Sequence, residues 1–240
     1  MTRPNGTVGG TQSDMARNIR SRIIQVLGTL AVQGALLLGS GGDLGWLWGW
    51  GYIGLSLTML LGNALVLLRT SRELVAERAR VGGGKRWDRW VSGLWALASF
   101  VGVLVVAGLD HRFAWSPPLA LGWRLLGAVA YVVGDALTVW AMRVNAFFAT
   151  AVRIQTERGH AVCDRGPYAW IRHPGYLGFI GYGLLLPLML GSLWSLIPAG
   201  VAGALIALRT ALEDRTLQAE LPGYAEYAQR VRYRLLPGVW

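Results

Sequence analysis

Residues 176–208 read YLGFIGYGLLLPLMLGSLWSLIPAGVAGALIAL, with no charged side chain in the run. As a single helix it would be about 50 Å long at 1.5 Å per residue, too long for a hydrocarbon layer of about 30 Å. Gly191-Ser192 offers a break between two halves, and Pro187 and Pro198 are read as kinks in the two legs. The stretch is therefore expected to form a helical hairpin with short legs. Gly175, Gly178 and Gly181 are read as the positions that let helices approach closely.

Working outward, the hairpin legs Tyr176–Leu190 and Leu193–Leu208 are preceded by four apolar segments, Ile23–Leu38, Trp46–Leu68, Trp90–Leu109 and Leu119–Met142. The chain is 53% hydrophobic and 15% charged, against about 25% charged residues in soluble domains. The expected fold class is all-α: a polytopic membrane helix bundle with six transmembrane helices, a C-terminal helical hairpin and a cytoplasmic catalytic region. The first ~18 residues are Gly-, Thr- and Ser-rich and hold no apolar core of a cleavable signal peptide, so they are read as a disordered arm. A single Cys excludes a disulfide framework within the chain.

Orientation follows from the basic residues. Of 23, all but Arg112 and Arg124 fall in the N-terminal arm, in the second and fourth loops or in the C-terminal tail, which lie on one side of a six-span arrangement. The positive-inside rule places that side, with both termini, in the cytoplasm. The net charge of +10 is thus a topological signal, and no single basic patch points to nucleic acid. Loop residues Asn145–Gly159 are read as amphipathic, with Phe147, Phe148, Val152 and Ile154 in the membrane interface and Arg153, Glu157 and Arg158 in water.

Chemistry concentrates in His160–Gly178, HAVCDRGPYAWIRHPGYLG. Ionisable groups at membrane depth usually serve a function. Gly166-Pro167 marks a turn, and Arg172-His173-Pro174 fits the first turn of a helix, whose free N–H groups and dipole favour an anion. A carboxylate or phosphate binder and a plain positive-inside loop explain this spacing equally well. His160, Cys163 and His173 offer only three candidate metal ligands without paired spacing, so no metal is expected. Asp135 and Asn63 stand within spans, where an ionisable group must face the bundle interior, either as a structural partner or in a substrate cavity.

The same stretch resembles the isoprenylcysteine carboxyl methyltransferase family, integral membrane enzymes that use S-adenosyl-L-methionine. That family carries His-x-Leu-Val, then Gly-x-Tyr, then Arg-His-Pro-x-Tyr-x-Gly. Here His160-Ala161-Val162-Cys163, Gly166-Pro167-Tyr168 and Arg172-His173-Pro174-Gly175-Tyr176-Leu177-Gly178 stand at those intervals, with Val162-Cys163 in place of Leu-Val. Arg209 and Glu213, Tyr224 and Tyr227, and Val231 match the family's later Arg-x-x-x-Glu, Tyr-x-x-Tyr and Val. The similarity covers roughly residues 145–240.

The resemblance implies that His160, Ala161, Val162, Cys163, Tyr168, Arg172, His173, Pro174, Gly175 and Glu213 surround S-adenosyl-L-methionine, with Gln155 near by in a shifted register. It implies that Arg209 faces the acceptor and that Arg209 and Arg172 carry the catalytic roles. Spacing alone puts Arg209 and Glu213 on one helix face, where a surface ion pair is the bland alternative. Residues 1–20 are then an arm, 21–142 a four-helix anchor, and 143–240 the cofactor-binding and catalytic region, including the hairpin 175–208. The implied partners are a lipophilic or prenylated substrate and membrane lipids. The ending Arg232–Trp240 also resembles membrane sterol reductases that use NADPH, and a phospholipid amine is a further possible acceptor.

Overall fold

The computed structural model describes residues 8–79 and 83–240, with side chains from Ser13 onward. Its long helices are α1 (Val8–Gly41), α2 (Leu47–Thr70), α6 (Leu121–Val144) and α8 (Leu196–Glu220), together with a rod made of α4 (Arg86–Ala96), a π-helical stretch Leu97–Gly102 and α5 (Val103–Phe113). All five are long and apolar enough to cross a membrane, and α7 (Pro174–Leu190) is a shorter apolar helix. Two short helices, α3 (Arg72–Glu77) and α9 (Tyr224–Arg230), complete the order. Among the described residues there is no strand. The chain is an all-α, polytopic membrane bundle.

Residues 8–20, read from sequence as part of a disordered arm, are helical; residues 1–7 lie outside the described residues. A helix nucleated in the apolar span extends at low cost into its flank, and Arg17 pairs with Asp14 at 2.8 Å one turn away.

The hairpin forms at the expected break. Gly191 ends α7 with φ +80°, a left-handed conformation that glycine adopts without strain. Pro187 lies inside α7, whereas Pro198 sits in the first turn of α8, where its missing N–H costs nothing. The second leg does not stop at Leu208 but runs on to Glu220, carrying Arg209, Glu213 and Asp214 on one continuous helix.

Close packing joins α6 to α7. A Cβ added at Gly134 would stand 2.7 Å from the Gly178 carbonyl oxygen and 2.9 Å from the Tyr182 nitrogen, and one at Gly127 would stand 2.7 Å from the Leu185 oxygen. Thr138 Oγ1 donates to the Gly134 carbonyl at 2.9 Å within this seam. Of the glycines singled out from sequence, Gly178 faces α6, Gly175 abuts the Phe148 ring, and Gly181 meets nothing within 4 Å. Gly102, inside the π stretch, lets Pro198 of α8 come close to the rod.

Side-chain contacts knit the bundle at two opposite ends. At one end Asp110 accepts from Ser116 Oγ (2.6 Å) and Ser192 Oγ (2.5 Å), and Asp43 meets His111 (3.0 Å). At the other, Lys85 pairs with Glu220 (2.6 Å) and Arg153 with Glu77 (2.6 Å). Helix α7 joins the two ends, so it traverses the bundle despite its length.

Candidate functional site

After α6 the chain has no long helix until Pro174, and the local chemistry explains this. The Asn145 side chain accepts the Phe147 N–H at 2.9 Å, a turn that competes with helix. Gly159 (φ +65°) and Gly166 (φ +57°) each terminate or start a short 3₁₀ turn. The amphipathic reading of 145–159 is corrected here. Phe147 and Phe148 turn inward to line a cavity, and Val152 is buried rather than laid on a membrane surface. The pull comes from Asp88 on α4: its Oδ2 accepts the Val152 N–H at 2.8 Å, while the Lys85 N–H donates to the Val152 carbonyl at 3.1 Å.

Gln155 is fully buried and anchors this loop. Its Nε2 donates to the Phe147 carbonyl at 2.9 Å, and its backbone N–H donates to His160 Nδ1 at 3.2 Å. That bond leaves the proton of a neutral His160 on Nε2. The ring stacks on Phe147 at 4.5 Å, and burial, followed by the nearby Arg158 and Arg153, holds its pKa below the ordinary histidine value. Cys163 donates to the Val144 carbonyl at 3.4 Å, and burial pushes its thiol up. Among the described residues no three His, Cys, Asp or Glu side chains gather as a metal site would require.

His173 caps α7 and Pro174 takes its first position, as the spacing predicts. The arginine before them serves another purpose. Arg172 makes a two-point pair with Asp214 (2.8 and 2.9 Å), and its Nη1 donates to the Val231 and Arg232 carbonyls (2.8 and 3.0 Å). Asp214, 0% exposed, also accepts from Arg234 (2.8 Å), Tyr224 (3.1 Å) and Gln218 (2.8 Å), with His173 Nε2 at 3.3 Å. The backbone N–H groups of Arg172 and His173 donate to the Tyr233 and Arg234 carbonyls. Asp214 thus ties the Arg-His-Pro segment to the C-terminal tail.

Arg209 and Glu213 share a face of α8 but do not pair with each other. Arg209, 5% exposed, donates from Nε to Asp88 at 2.8 Å and from Nη2 to the Thr150 carbonyl at 2.9 Å, with its guanidinium 5.3 Å from the Tyr176 ring centre. Glu213 accepts the Tyr176 hydroxyl on Oε2. The simple surface pair is therefore ruled out by geometry.

These elements enclose a cavity of about 510 Å³, within the size range of small-molecule sites. His160, Ala161, Val162, Cys163, Tyr168, Arg172, His173, Gly175, Arg209 and Glu213 all line it. Gln155 and Pro174 do not; they support the wall from behind. The cavity continues between α1, α2 and α6, where Ser56 meets Tyr131 (3.0 Å) and Asn63 Nδ2 donates to both oxygens of Asp135 (3.0 and 2.9 Å). Asp135 and Asn63 thus pair with each other and line the cavity.

Residues 126–219 match the model of the isoprenylcysteine carboxyl methyltransferase (ICMT) family. Over that stretch the chain is similar to this family. No curated protein matches the chain. The ICMT match takes in most of α6, the His160–Gly178 segment, the hairpin and Asp214, and leaves out Asp88 and the tail that Asp214 holds. Sequence reasoning missed Asp88, Asp214 and Phe147 as parts of the site. Asp88 carried a usable signal, an acid in a basic loop just ahead of an apolar run. Asp214 carried none beyond its neighbour Glu213.

Proposed function

We propose that this protein transfers a methyl group from S-adenosyl-L-methionine to a lipophilic acceptor in the membrane, with a carboxylate as the favoured nucleophile. The observation that carries the reading is that the residues matching the ICMT motif, dispersed from His160 to Glu213, converge on one cavity. The donor set suits the cofactor. Phe147, Tyr168 and Tyr176 offer aromatic walls, and Glu213 keeps Oε1 open beside its bond to Tyr176, as an acceptor for an ammonium or hydroxyl. When bound, S-adenosyl-L-methionine supplies an already activated methyl group. The chain's own task is to align the acceptor and exclude water, because a carboxylate needs no proton removed.

In this reading Glu213, His160 and the backbone of Ala161–Cys163 hold the cofactor. Arg209, fixed by Asp88 and covered by Tyr176, shapes the boundary between cofactor and acceptor. Arg172 acts as a positioning residue, since its donors serve Asp214 and the tail. Calorimetry on the detergent-purified protein tests the proposal: S-adenosyl-L-methionine should bind in the micromolar range and NADPH should not. Binding of NADPH alone would replace methyl transfer with a reductase.

A further inference from the structure

We propose that Arg22 and Arg78 form an anion site in the cavity, which holds a carboxylate or phosphate on the head of the methyl acceptor. This rests on the methyl-transfer reading above for the identity of the occupant, but not for the chemistry of the site.

Among the described residues five arginines line the cavity, Arg22, Arg78, Arg153, Arg172 and Arg209. Three are neutralised: Arg153 by Glu77 and Glu157, Arg172 by Asp214, and Arg209 by Asp88. Arg22 and Arg78 are not. Every acidic residue of the chain lies among the described residues, and none forms an ion pair with either arginine. Among the described residues Arg22 hydrogen-bonds only the Gln25 side chain, at 3.4 Å. Arg78 donates one bond, from Nη1 to the Phe148 carbonyl at 3.2 Å, and lies over the Phe148 ring at 5.3 Å. A guanidinium has five N–H donors, so most of the Arg78 fork remains for a ligand.

The neighbourhood favours an anion. Burial, and then repulsion from Arg22 and Arg209, pushes the Arg78 guanidinium down to about 9; at neutral pH it remains charged. Like charges held together at reduced dielectric are relieved by an anion between them, and arginine binds carboxylate and phosphate in two-point fashion. Asp135 also faces the cavity, but both its oxygens are met by Asn63. The occupant's other half follows from the apolar lining: Val26 and Leu30 succeed Arg22 at helical spacing on α1, and Met59 and Leu60 of α2 line the same cavity. An anionic head with a hydrocarbon tail satisfies both. Arg209, by contrast, already has its counter-ion in Asp88, so the task of holding the acceptor's anion passes to Arg78 and Arg22.

The test uses the full chain in phosphatidylcholine nanodiscs, with laurate, dodecyl phosphate, dodecanol and inorganic phosphate as probes and S-adenosyl-L-methionine titrated separately. Laurate and dodecyl phosphate should bind wild type, and dodecanol and inorganic phosphate should bind much more weakly. Arg78→Gln should weaken the two anionic amphiphiles ten- to a hundredfold, Arg22→Gln about tenfold, and both should leave cofactor affinity within about twofold. Unchanged laurate affinity in both folded variants would overturn the proposal. So would a parallel loss of cofactor affinity, which would assign Arg78 to the cofactor's own carboxylate. Equal binding of inorganic and dodecyl phosphate would make the site one for a soluble anion, against the proposal. Laurate binding of the expected pattern without any S-adenosyl-L-methionine binding would sink the methyl-transfer reading and leave the anion site standing.

Discussion

Glu213 and Asp214 are adjacent on α8 and face different surroundings. Glu213 is half-buried, bonded to one tyrosine and open to the cavity. Asp214 is fully buried and gathers Arg172, Arg234, Tyr224 and Gln218. Removing the partner from a buried ion pair costs about 3–5 kcal/mol, because the stranded charge has no water to turn to. Asp214→Ala is therefore expected to lower the thermal melt of the purified protein sharply, whereas Glu213→Gln, whose amide oxygen still accepts from Tyr176, should leave the melt near wild type. On cofactor titration Glu213→Gln should lose about ten- to a hundredfold in affinity, the worth of a charge-assisted contact. A melt that falls equally for both would make Glu213 structural too. The Arg-x-x-x-Glu spacing made Glu213 legible in the sequence. Asp214 was not, because its partners come from residues 172, 218, 224 and 234, and only the folded tail brings them together.

At the level of elements, apolar runs and their breaks located every long helix, and the Gly191 turn fell where the run was too long for one span. Two features needed the fold. The π-helical stretch at Leu97–Gly102 depends on how the rod meets Pro198 of α8, and nothing local to its sequence announces it. The close seam between α6 and α7 depends on which glycines face each other, which helical periodicity alone left ambiguous. Gly134 and Gly178 meet across the seam, and Gly181 points away. Lipid tails are as apolar as leucine, so helices in a bilayer associate largely by such close packing. Gly134→Ala should accordingly push α6 and α7 apart and reduce both the yield of folded protein and its melting temperature. Gly181→Ala should be neutral or slightly stabilising, by up to about 1 kcal/mol, since alanine is the better helix former. Equal tolerance of both substitutions would mean that the seam contributes little.

For the molecule as a whole, the distribution of basic residues and the pattern of long-range contacts point to the same topology. Arg153–Glu77, Lys85–Glu220 and Arg172 with the 231–232 carbonyls bind the second loop, the fourth loop and the tail to one another at one end. Asp43–His111 and the Asp110–Ser116–Ser192 cluster join the remaining loops at the other end, close to Arg112, with Arg124 packed against Gly191. Each end collects alternate loops, which requires an even number of passes and makes the 17-residue α7 one of them. At 1.5 Å per residue α7 is about 25 Å long, slightly short of a typical hydrocarbon layer. The polar groups flanking it, His173 at one end and Ser192 at the other, are buried in protein, so the shortfall exposes no backbone to lipid. For the direction, the expectation from the positive-inside rule is that the end rich in arginine faces the cytoplasm. In a Cys163→Ser background, a cysteine introduced at Gly45, in the turn between α1 and α2, should react with a membrane-impermeant maleimide added outside intact cells. One introduced at Gly238 should react only after permeabilisation. Labelling of both from outside would mean that one helix fails to cross, and α7 would be the first suspect. The reverse pattern would keep the six passes and invert the molecule, placing the Glu213 cavity on the side opposite to the cytoplasm.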